Sequence, residues 1–169
     1  MYQSHWGLSE TPFRTRPDPH FFHQSPTHDE ALARLHFLVD YQRRLGLLIG
    51  PHGSGKSLLL EVFAGELRRR GVPVARVNLL GVDRAEALCL LAGELGLNLA
   101  ASEALPTLWR RVTDRLIEHR YQQLDTALLF DDADRASEEV LTQAARLARL
   151  EAFMSEMIKE NLAEDDRGQ

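Results

Sequence analysis

An α/β fold, with helices layered on both faces of a mostly parallel sheet, is the architecture the sequence predicts. Three observations carry it. Short apolar runs at Leu45–Ile49, Val72–Leu79 and Thr126–Phe130 read as buried strands. Stretches with apolar residues three and four positions apart separate them and read as helices packed by one face. Strands that alternate with helices in this way are joined by crossovers, which makes neighbouring strands parallel and places helices on both sides.

The elements follow in order. Residues 1–25 form an arm in which Pro12, Pro17 and Pro19 forbid helix, while Trp6, Phe13, Phe21 and Phe22 require burial. The expectation is an ordered segment packed on the body. A helix begins near residue 26. Either Ser25 caps it with Pro26 at the first helical position, or Thr27 and Glu30 form a capping box. Leu32, Leu35 and Val39 give its apolar stripe up to Arg43–Arg44. The run Leu45–Ile49 is the first strand, and a glycine-rich turn leads to a helix from Lys56 to Arg70 that buries Leu59, Leu60, Phe63 and Leu67. After Gly71 comes the second strand, then a helix from Asp83 to Leu95 that ends at Gly96, suited to a left-handed C-terminal position. Leu105 to Gln122 is a helix with Leu108, Trp109, Val112 and Leu116 on one face, followed by the third strand. A last helix from near Ser137 carries Val140, Leu147, Leu150, Met154 and Met157 at near helical spacing, too few repeats for a coiled coil. The domain reading is therefore an arm over 1–25, a core over 26–135, and a C-terminal helix with an acidic tail over 136–169.

The chemistry lies at the first turn. Gly50, Pro51, His52, Gly53, Ser54, Gly55, Lys56 and Ser57 match G-x-x-x-x-G-K-[ST] between a predicted strand and a predicted helix. Glycines let the backbone turn successive N–H groups inward around an anion, with Gly50, Gly53 and Gly55 expected in conformations closed to other residues. The N-terminus of the helix, through Leu58, adds its positive dipole end to the same phosphates. Lys56 brings a compact ammonium to the β- and γ-phosphates, and the Ser57 hydroxyl is a ligand for Mg²⁺. The motif thus predicts a P-loop NTPase fold in three layers. A carboxylate ending another buried strand should complete it, and Leu128-Leu129-Phe130-Asp131-Asp132 provides one. An aspartate just past an apolar run is costly to bury unless a cation or other partner compensates it. Asp131 is the expected metal residue, and Asp132 the group that orients or deprotonates water. No N-K-x-D element is present, which favours adenine over guanine.

Composition sets bounds on everything else. A single domain of 169 residues with net charge −5 has no basic signature for nucleic acid. No apolar run approaches the ~18 residues of a membrane span, and the first ten residues lack the basic start and apolar stretch of a secretory signal. A lone cysteine, Cys89, among Leu88, Leu90 and Leu91 reads as a small core residue, and the chain as cytoplasmic. The histidines lack the spacing of a zinc site. Arg68, Arg69 and Arg70 read as helix-end cations. The last twenty residues hold six acids and two bases, net −4, against net −1 for the preceding 149. Of the twenty basic residues only Lys56 and Lys159 are lysine.

The stretch HWGLSETPFRTRPDPHFFHQSPTHDEALARL from His5 to Leu35, GPHGSGKS from Gly50 to Ser57, and LLFDDAD from Leu128 to Asp134 together resemble the ExeA-type (general secretion pathway protein A) ATPases of the AAA+ class. The resemblance covers most of residues 1–135. It implies ATP and Mg²⁺ as cofactors, the arm lying near the nucleotide base, and self-association around the nucleotide. It further implies mechanical or assembly work on partners, in secretion or in DNA-transposition relatives, peripheral to a membrane-associated complex in the former case. Two departures follow. Asp132 stands where that class usually has glutamate. After Asp131 only one helix and a tail follow, without a fourth strand for a polar sensor, an arginine finger or a helical lid, so the expectation is either a C-terminally truncated or reduced core, or an acidic tail that replaces the missing part. An ATPase coupled to a partner is therefore weighed against a non-hydrolysing nucleotide-dependent switch or interaction module. A small-molecule or nucleotide kinase is a third reading, without an acceptor-binding signature.

Overall fold

A computed structural model describes residues 18–100 and 102–150. The helices are α1 (Pro26–Asp40), α2 (Lys56–Arg69), α3 (Arg84–Glu94), α4 (Leu105–Tyr121) and α5, described over residues 138–150. The strands are β1 (Val74–Asn78) and β2 (Ala127–Asp131), with 3₁₀ turns at Pro19–Phe21 and Ala133–Arg135. Helix starts follow local chemistry. Ser25 caps α1 by accepting from the His28 backbone N–H, with Pro26 at the first position, so the Ser25–Pro26 alternative is the one realised. Asp83 and Glu86 form a reciprocal capping box at α3, and Gly96, with φ of 75°, follows its end.

β1 and β2 pair in parallel, with Val74 opposite Ala127 and Asn78 opposite Asp131. Alternation then sorts their side chains between two cores. Val74, Ala127 and Leu129 join Leu32, Leu59, Phe63, Ala64 and Leu67 in the layer of α1 and α2. Ala75, Val77, Leu128 and Phe130 join Leu88, Leu91, Leu108, Val112, Leu116, Val140 and Leu147 in the layer of α3, α4 and α5. The three-layer α/β expectation holds. Cys89 packs at the edge of the second core, and burial first, then Glu103 and Asp83, push its thiol pKa up. That is the chemistry of a core residue rather than a reactive thiolate.

One element departs from expectation. Leu45–Ile49 is not a strand: residues 45–50 run without a ladder partner, and Leu45, Leu47 and Ile49 are 68%, 77% and 86% exposed. Only Leu48 reaches the α1–α2 core, beside Val39 and Leu129. A buried strand needs a neighbour for its backbone groups as well as apolar side chains. Among the described residues β2 pairs only with β1, and no backbone ladder joins 45–49 to either strand. Phe22, in the described part of the arm, packs on the α1–α2 core, whereas Trp6 and Phe13 lie outside the described residues, as do Met154 and Met157.

Two expectations follow. Leu67 is fully buried between α2 and β1, so Leu67→Ala should cost about 2–5 kcal/mol in denaturant unfolding. His119 hydrogen-bonds Thr126 at the entry to β2 (2.8 Å), and its pKa is lowered by burial and then by Arg115. The unfolded chain therefore takes up this proton at higher pH than the folded one. Stability should fall as pH drops below about 6.5, and His119→Gln should flatten that part of the pH–melting curve.

Candidate functional site: the phosphate loop and the acidic strand end

The loop between residues 50 and 55 is shaped by glycines in two different ways. Gly53 and Gly55 have φ of 77° and 81°, the left-handed region where a side chain strains the backbone. Gly50 does not share that conformation, contrary to expectation. It is closely packed instead: a Cβ there would lie 3.0 Å from Ser54 Oγ, a tight contact, and 3.8 Å from Lys56 Cδ, an ordinary one. Gly55 precedes α2 without any side-chain cap, so the N–H groups of its first turn at Lys56, Ser57 and Leu58 have no protein acceptor from a cap. That is the arrangement an anion satisfies. Lys56 folds back over the loop, its Nζ donating to the carbonyls of Gly50 and Pro51 at 2.9 Å each, which leaves a third donor for a ligand. Pro51, His52 and Gly53 are exposed on the outer curve.

A second helix braces the loop. His28, in the first turn of α1, places Nε2 3.2 Å from the Ser54 carbonyl and Nδ1 3.0 Å from Ser25 Oγ. Nδ1 also lies 3.2 Å from the His23 carbonyl, so each ring nitrogen faces a carbonyl that can only accept, and a neutral ring donates to one of the two. Phe22 sits against the His28 ring, with centroids 5.3 Å apart.

The parallel register delivers the carboxylates. Asp131, the last residue of β2, is buried and accepts from Ser57 Oγ at 3.0 Å on Oδ1. Both are hard oxygen donors of the kind Mg²⁺ prefers. Among the described residues no three His, Cys, Asp or Glu side chains form a metal site by themselves. The pair therefore suits an ion that takes its remaining ligands from phosphate and water. Asp132 adopts a left-handed conformation, φ 53° and ψ 34°, which turns the chain out of the sheet. Its Oδ2 accepts from Asn78 Nδ2 at 2.8 Å, and Asn78 Oδ1 in turn accepts from the Leu80 N–H at 2.8 Å, fixing the amide's orientation.

The structure thus brings Gly50, Ser54, Gly55, Lys56, Ser57, Asp131 and Asp132 into one locus at the carboxyl end of the strands. It adds groups that sequence reasoning missed: His28, Asn78, and Arg76, which donates to Asp131 Oδ2 at 2.9 Å and pairs with Glu61. Arg76 was the visible anomaly, a charge at the centre of an apolar strand. Arg68 and Arg70 are engaged by Glu94 (3.6 Å) and Asp40 (2.5 Å), as expected of helix-end cations.

Comparison with known proteins follows this geometry. The AAA domain family matches residues 39–159. The general secretion pathway protein A of Aeromonas hydrophila is 26% identical over 159 residues, covering 94% of this chain and 29% of that protein, so the chain spans less than a third of that relative's length. No solved structure matches. No helix among the described residues is long and apolar enough to cross a membrane.

The left-handed φ of Gly55 makes a specific demand. Gly55→Ala should strain the loop and weaken anion binding, measured as loss of phosphate-dependent thermal stabilisation, and should lower intrinsic stability by about 1 kcal/mol.

Proposed function

The chain belongs to the AAA domain family, with the P-loop NTPase fold that membership entails, and from that premise we propose that it binds ATP with Mg²⁺ and hydrolyses it to drive a partner or assembly process. The observation that carries this reading is the contact of Ser57 Oγ with Asp131 Oδ1, 3.0 Å, between residues 74 positions apart. It joins the phosphate loop to the acidic strand end.

In this reading the backbone from Gly50 to Leu58 cradles the phosphates, and Lys56 turns its ammonium from the loop carbonyls to the β- and γ-phosphates. Ser57 and Asp131 hold Mg²⁺, which supplies charge neutralisation on those phosphates when bound. Asp132, oriented by Asn78, accepts a hydrogen bond from the attacking water and withdraws its proton. Adenine is favoured over guanine by the lack of an N-K-x-D element. Coupling to a protein partner or to a second copy rests on the likeness to the general secretion pathway protein A, whose name carries the association with secretion.

A second reading, a nucleotide-held switch that does not turn over, is favoured by one feature. The short Asp132 side chain is already engaged by Asn78, which holds it on β1 rather than free to follow a water.

Titration with a fluorescent ATP analogue and Mg²⁺ should saturate for the wild type, and Lys56→Ala should weaken it at least a hundredfold; equal binding by Lys56→Ala would overturn the reading. Phosphate release under multiple turnover separates hydrolysis from the switch. Turnover that falls at least a hundredfold in Asp132→Ala supports the ATPase, whereas binding without turnover supports the switch.

A further inference from the structure

Arg76 is unexplained by phosphate binding or by packing. It stands mid-strand on β1, its side chain 20% exposed, on the face that meets α2. Nη2 donates to Asp131 Oδ2 at 2.9 Å and to the Ser57 carbonyl at 3.3 Å; Nη1 pairs with Glu61. Its Nε is buried with no hydrogen-bond partner. A guanidinium in that position loses hydration that an apolar strand residue would never need, and two carboxylates must compensate it.

On the basis of the nucleotide reading above, we infer that Arg76 is a resident countercation for Asp131, which balances that carboxylate when no divalent ion is present and raises the Mg²⁺ concentration the site requires. The carboxylate is shared. Oδ1 faces the Ser57 hydroxyl, where an ion would sit, and Oδ2 is held by the guanidinium. An incoming Mg²⁺ therefore meets a fixed positive charge one carboxylate away, in a setting where water screens poorly. Arginine cannot shed its proton to relieve the repulsion. Glu61, on the next turn of α2 after Ser57, pairs with the same guanidinium from the other side, so the charge of Arg76 is divided between two carboxylates. Without metal, the same bridge keeps Asp131 compensated and in register with Ser57, so nucleotide binding persists in a chelator.

The test is a Mg²⁺ titration of fluorescent ATP-analogue binding, with a chelator baseline and with Mn²⁺ binding followed by electron spin resonance. Arg76→Gln keeps an N–H donor for Asp131 and removes the charge. It should lower the half-saturating Mg²⁺ and Mn²⁺ concentrations about tenfold and weaken binding in chelator. Arg76→Lys, which restores a cation, should return both towards wild type. An unchanged or higher metal requirement in a cooperatively folding Arg76→Gln would overturn the inference and leave Arg76 as a positioning group for Asp131. Should Arg76→Gln fail to fold, Glu61→Gln decides: it leaves Arg76 to Asp131 alone and should raise the metal requirement, and an unmoved titration overturns the inference. A wild type that binds no analogue overturns the nucleotide reading and this inference together; a wild type that binds, with unmoved variants, overturns this inference alone.

Discussion

The parallel register of β1 and β2 is the constraint on which the rest of the site depends. Because Asn78 lies opposite Asp131, the α2-facing positions of both strands end at the same height beneath Ser57. A one-residue slip of either strand would turn that strand's side chains to the other face. A slip of β1 would send Arg76 into the apolar layer of α3 to α5, and a slip of β2 would take Asp131 from the hydroxyl it now bonds. The two apolar cores hold this register, since each strand contributes alternate residues to each of them. Packing on one side of the sheet thus sets the position of charges on the other.

Much of this was legible in the sequence. The helices could be read because their signals are local: apolar spacing from Leu59 to Leu67, the Ser25–Pro26 start, Gly96 after α3. The phosphate loop was legible for the same reason, as eight consecutive residues whose chemistry requires contiguity. What escaped was whatever depends on pairing. Leu45–Ile49 has a strand's composition, yet composition does not supply a ladder, and among the described residues none pairs with it. Arg76 and Asn78 are single polar residues in a short strand, and only the register reveals that they face Asp131 and Asp132. His28 was one of several scattered histidines until α1 brought it against Ser54. Gly50 lacks the left-handed backbone that the motif led one to expect, because a motif records residue type and not φ.

The near exclusion of lysine acquires structural content. Arg34, Arg68, Arg70, Arg76, Arg84, Arg115 and Arg120 are each bridged to a carboxylate, the geometry a planar fork serves. Lys56 is bonded instead to two carbonyls of its own loop. Those neutral acceptors hold the ammonium in place without cancelling its charge. A carboxylate partner would have neutralised that cation.

The β1–β2 pairing also bears on how the molecule comes to exist. The two strands are separated in sequence by all of α3 and α4, so their ladder closes a long loop, and loop closure exacts its entropy before the contacts repay it. The helices and the glycine-rich turn are made of near neighbours and can form early. Asp131 reaches Ser57 only when the ladder closes. The contact of the loop with its acidic partner thus depends on the pairing that spans α3 and α4, whereas the loop itself is made of consecutive residues.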